Sequence, residues 1–129
     1  MKTKILLVEN EELILRFLKL RLEKENYEVN IARDGKEAIQ QISNTQYSLI
    51  ISELTLPFVS GFELISKIRT ESNNTDTPIL ILSALSSENT IVDALSIGAN
   101  EFLKKPFAIN VLLTKIKLLL GGHDLLQAV

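Results

Sequence analysis

The chain has 129 residues, 46% of them apolar, and a formal charge of -2, which suits one ordinary domain with a real core and leaves no basic footprint for nucleic acid. Cysteine is absent, which excludes a disulfide framework and a Cys-based zinc site. No window reaches the apolar length of a membrane span, and the four apolar residues after Met1-Lys2-Thr3-Lys4 are too few for a signal peptide. A soluble, cytoplasmic protein with no membrane contact and no direct nucleic-acid binding is expected.

Lys4 to Val8 (KILLV) reads as a central strand and ends in the acidic cluster Glu9-Asn10-Glu11-Glu12. From Glu11 to about Lys24 the pattern is helical, with Ile14, Phe17, Leu18 and Leu22 as the inward stripe. Leu13 and Leu20 fall on a neighbouring face, so this helix is greasier than one stripe requires. Asn10 is placed to cap its start. Glu28 to Ala32 predicts a shorter second strand, and Asp34-Gly35 turns into a helix to about Ser43 that buries Ala38, Ile39 and Ile42. Leu49 to Ile51 predicts a third strand buried on both faces, stopping at Glu53. A loop with Pro57 leads to a helix over Gly61 to Glu71, and Ser72 to Pro78 reads as a polar surface loop. Ile79 to Leu82 predicts a fourth strand ending at Ser83-Ala84. A helix over roughly Ser87 to Ile97 follows, with Gly98 at its C-terminal end. Glu101 to Lys104 predicts a short fifth strand closed by Lys105-Pro106-Phe107. The last helix, Ala108 to about Leu120, is expected to stop at Gly121-Gly122, leaving His123 to Val129 without assigned structure and His123 as a solvated side chain.

Strands and helices alternating at this spacing predict an α/β fold, a doubly wound five-stranded parallel sheet of order 2-1-3-4-5 with helices on both faces. In such sheets chemistry collects at the carboxyl ends of the strands. A lone Glu there is most often a solvated loop residue. Here Glu9, Asn10, Glu53, Ser83 and Lys105 all fall at strand ends that this order brings to one edge.

The stretches ILLVENEE, SLIISELTLPFVSGFEL, PILILSAL and GANEFLKKPF, in order over residues 3 to about 120, resemble the receiver domain of bacterial two-component response regulators. The resemblance implies the flavodoxin-like receiver fold over residues 1-120, with 121-129 as a C-terminal tail or the start of a linker. It implies a signalling module, not an enzyme, partnered by a sensor histidine kinase or another signalling protein. In that family an Asp ending the third strand takes a phosphoryl group, and an acidic pair after the first strand holds Mg²⁺. By resemblance Ser83 is the phosphoryl-contacting hydroxyl, Ala84 the small residue beside it, and Lys105 the phosphoryl-contacting ammonium. Pro106 follows it with a cis peptide bond expected, and Phe102 is the switch aromatic.

Three acidic positions depart from the family pattern. Glu9 and Asn10 stand where the family has two Asp, and Glu53 stands where it has the phosphoacceptor. Asn10 offers a neutral oxygen to a hard dication, and the extra methylene of Glu53 moves its carboxylate by about 1.5 Å. A metal site built on Glu9, Asn10 and Glu53 is therefore expected to be weak or lost. The longer carboxylate can pair with Lys105, with one negative charge against roughly -1.5 to -2 for a phosphate. The expected function is a degenerate receiver that signals by protein contact without phosphorylation. The alternatives are a receiver that still accepts phosphate from a histidine kinase, and a flavin or nucleotide site on the same fold. The last lacks both a GxGxxG and a Walker A pattern. The face of the fourth helix, fifth strand and fifth helix, with Ile91, Leu95 and Leu113 outward, is expected to be a partner surface, and a two-fold homodimer its product.

Overall fold

The computed structural model describes the backbone of residues 2-128 and the side chains of residues 2-121. Strands and helices alternate throughout: β1 (Lys4–Val8), α1 (Glu12–Lys24), β2 (Glu28–Ala32), α2 (Gly35–Asn44), β3 (Leu49–Ser52), α3 (Gly61–Glu71), β4 (Ile79–Ser83), α4 (Glu88–Ser96), β5 (Glu101–Lys104) and α5 (Ile109–Ala128). The strands form one parallel sheet of order β2-β1-β3-β4-β5. No helix among the described residues is long and apolar enough to cross a membrane.

The near-continuous apolar runs became the three central strands because both faces of a wound parallel sheet are covered. Successive side chains point to opposite faces, which splits the core in two. Leu6, Val8, Ile50 and Ile81 meet Ala38 and Ile42 of α2, Leu64, Ile65 and Ile68 of α3, and Ala94 of α4. Ile5, Leu7, Ile51 and Leu82 meet Leu15, Leu18 and Leu22 of α1, and Leu112, Leu113 and Ile116 of α5. The edge strand β5 carries Glu101 and Lys104 at its ends, charges that discourage further strand pairing.

Four local expectations need correction. The inward face of α1 is Leu15, Leu18 and Leu22; Phe17 is exposed and Ile14 half-buried, because apolar residues occupy nearly every helical phase between 13 and 22. The N-cap of α1 is Glu11, not Asn10, and its side chain makes no capping bond. The segment before β4 is not simply a surface loop. Asn74 is buried, accepting from Tyr47 N (2.7 Å) and donating to Ile42 O (3.0 Å) and Thr45 O (2.8 Å). Polarity there reflects buried hydrogen bonding instead of exposure. Finally, α5 runs through Gly121-Gly122 to Ala128. A helical glycine costs about 1 kcal/mol relative to alanine, which weakens a helix without ending it. The His123 side chain lies outside the described residues.

Candidate functional site

Parallel register assembles the site. Val8 pairs with Ser52 across β1 and β3, and Ser83 pairs with Lys104 across β4 and β5. The next residues, Glu9, Glu53, Ala84 and Lys105, therefore leave four strand ends along one edge of the sheet. Glycine fixes the loop after Glu53: a Cβ on Gly61 would lie 2.5 Å from Glu53 O and 2.6 Å from Leu54 Cα. Gly61 N donates to Leu54 O at 2.8 Å, so α3 starts hard against that loop.

Three charged side chains meet there in near-complete burial. Glu9 and Glu53 are 1% and 5% exposed, and the Lys105 side chain is 8% exposed. Lys105 Nζ lies 2.8 Å from Glu9 Oε1 and 3.0 Å from Glu53 Oε1. The remaining oxygens turn onto backbone donors. Glu9 Oε2 accepts from Asn10 N and Glu11 N, both at 3.1 Å. Glu53 Oε2 accepts from Leu54 N at 2.6 Å and Thr55 N at 3.3 Å. Burying a carboxylate costs several kcal/mol unless it is paired and hydrogen-bonded, and here each has three donors. Burial pulls the Lys105 ammonium toward neutrality, but the hydrogen bonds and charges of Glu9 and Glu53 prevail and raise its pKa above the ordinary lysine value.

The other expected site residues are placed differently. Ser83 is fully buried, and its Oγ accepts from Leu85 N at 3.1 Å. Ala84 is exposed at the rim. Asn10 is exposed and serves the site through its backbone N–H. Phe102 is half-buried and packs against the α2–α4 side of the core. The Lys105-Pro106 peptide is cis. On the α4–β5–α5 face, Leu95 is exposed and Ile91 half-buried, but Leu113 belongs to the core. Leu112, Leu113 and Ile116 face the sheet, which leaves Val111 and Leu118 as the exposed apolar residues of α5 among the described side chains.

Sequence reading missed two parts of the site. Glu11 brings a third carboxylate oxygen to 3.7 Å from Lys105 Nζ. A groove of about 540 Å³ opens onto the site, lined by Glu11 and Lys105 and by the apolar Leu13, Ile14, Phe17, Ala84, Pro106 and Phe107. The surplus apolar residues of α1 were its visible signal, but their direction was not.

Glu9, Glu11 and Glu53 each turn a carboxylate oxygen to the Lys105 ammonium. Both buried carboxylates converge on an ammonium and on backbone N–H groups, whereas Mg²⁺ needs near-octahedral oxygen ligands at about 2.0–2.1 Å.

The response regulator receiver domain family matches residues 5–117. The response regulator ArlR of Staphylococcus saprophyticus is 42% identical over 118 residues, 92% of this chain and 52% of that protein. The chain thus spans about half the length of the curated relatives it matches. A Francisella response-regulator receiver domain superposes with a TM-score of 0.87 at 30% identity, covering 95% of this chain and 99% of the other. The receiver domain of a Pseudomonas aeruginosa sensor histidine kinase, solved with magnesium coordinated in its active-site cleft, superposes with a TM-score of 0.86 at 26% identity, covering 94% and 99%.

Proposed function

We infer function from one premise: the chain belongs to the response regulator receiver domain family. It is a receiver domain of the two-component response-regulator type. The finer proposal is that this receiver is degenerate and signals through protein contact without being phosphorylated. One observation carries that reading: Glu53, at the position of the family's phosphoacceptor, has both oxygens engaged, one by Lys105 and one by two backbone N–H groups. A nucleophile must reach an in-line phosphoryl donor with a free oxygen, and small displacements are costly. Glu53 instead holds a fixed negative charge against Lys105, a partial imitation of a bound phosphoryl group.

The associated proposals follow the same chemistry. Mg²⁺ binds weakly or not at all, because Asn10 and the saturated carboxylates make poor ligands. The domain turns over no substrate of its own. It works in the cytoplasm with a sensor histidine kinase or another signalling protein. The exposed apolar residues of α4 and α5 are assigned to self-association.

Incubation with acetyl phosphate and Mg²⁺, read by mass spectrometry, tests the central claim. Wild type should carry no phosphoryl adduct. Glu53→Asp should be labelled slowly, since a shorter side chain releases the N–H groups and restores depth. Adding Asn10→Asp should speed labelling by more than the single changes suggest, because the two positions share one metal. Wild type labelled at Glu53 would replace this reading with that of a working receiver.

A further inference from the structure

Glu9 and Glu53 meet across a cation that belongs to the chain. Lys105 Nζ contacts Glu9 Oε1 at 2.8 Å and Glu53 Oε1 at 3.0 Å, with Glu11 Oε1 at 3.7 Å. An ammonium has three donors, and three carboxylates surround this one. The second oxygen of each buried carboxylate is turned onto two backbone N–H groups. The oxygens a divalent ion would recruit are thus already in use.

We propose that Lys105 is the resident cation of this site and that, with Asn10 offering no competing charge, its ammonium keeps divalent metal out. The inference rests on the degenerate reading of the same pocket but concerns a separate property, the identity of the group that balances the carboxylates. A metal ion bridging Glu9 and Glu53 would lie within a few ångströms of Nζ, where like charges repel strongly. It would therefore have to displace the ammonium and break two short charge-assisted hydrogen bonds. Mg²⁺ would also have to shed water, which it does reluctantly. The lysine is tethered and competes without loss of translational freedom. Removing its charge reverses the balance: two buried carboxylates are left without a counter-charge, and a cation from solution becomes the way to satisfy them.

The probe is Mn²⁺ alone, added to the whole chain without phosphodonor and followed by calorimetry and by paramagnetic broadening of amide signals. Wild type should show no saturable binding up to about 1 mM, and the Asn10, Glu11, Leu54 and Thr55 amides should stay sharp. Lys105→Met should bind at least about tenfold more tightly than wild type and broaden those four amides. Lys105→Arg, which keeps the charge, should remain closed. If Lys105→Met does not fold, Lys105→Gln replaces it, being neutral yet able to donate to a carboxylate. Wild type binding Mn²⁺ as well as the neutral variants would overturn the proposal, and so would a folded neutral variant that binds no better than wild type. Phosphoryl labelling of wild type would sink the degenerate reading, and Mn²⁺ binding by wild type without phosphodonor would sink this inference even where no labelling occurs.

Discussion

Lys105 is the residue on which the site's electrostatics turn. Without its ammonium, Glu9 and Glu53 become buried charges lacking a counter-charge, so Lys105→Met should lower stability by about 3–5 kcal/mol at neutral pH. The pH dependence follows from the sign of its shift. The folded-state pKa is raised above the unfolded value of about 10.4. The stabilisation is therefore fully present below about pH 10.4 and lost as pH rises through the raised folded value. Urea midpoints for wild type and Lys105→Met should differ widely at neutral pH and converge in strong alkali. A gap that stays constant across that range would mean that Lys105 contributes packing, not charge. Glu9, Glu53 and Lys105 were legible in the sequence because strand ends and family motif both marked them. Glu11 was not, since its reach to Nζ depends on how the β1–α1 turn is closed.

At the scale of elements, α1 and the segment before β4 set the main tests. In α1, Leu18 is fully buried and Leu13 is 85% exposed. Leu18→Ala should cost about 2–5 kcal/mol, whereas Leu13→Ser should change stability by no more than about 0.5 kcal/mol. Denaturation of the two variants checks the orientation, and equal losses would refute it. Asn74 ties Ile42, Thr45 and Tyr47 together through its side chain. Asn74→Ala would leave buried backbone groups unpaired, at about 1–3 kcal/mol for each group, so a loss of several kcal/mol is expected by thermal or chemical unfolding. A near-neutral result would mean that water replaces the amide. Neither the α1 orientation nor the Asn74 network could be read from local pattern. A helix apolar in nearly every phase has no unique inward face, and an Asn in a polar run looks solvated until its partners are placed.

At the scale of the whole molecule, Val92, Leu95, Ile97, Val111 and Leu118 are exposed on α4, the turn after it, and α5. Self-association through that face should appear as a concentration-dependent rise in sedimentation coefficient that Leu95→Glu abolishes. A monomer at high concentration, unchanged by Leu95→Glu, would remove the dimer. Leu113→Glu should instead unfold the protein, because Leu113 is packed in the core. The sequence by itself determined the alternating elements, the sheet order and the strand ends that carry Glu9, Glu53, Ser83 and Lys105. Apolar runs of strand length and helical periodicity are local properties, and few parallel arrangements can connect them. Only the tertiary structure decided which face of α1 turns outward, that Leu113 is buried, that Asn74 is a buried hydrogen-bonding centre, and that Glu53 spends both oxygens on Lys105 and its own loop. Those outcomes depend on distances between segments far apart in the chain. A methylene more or less, or a helix turned through part of a revolution, changes them without altering the pattern of residues.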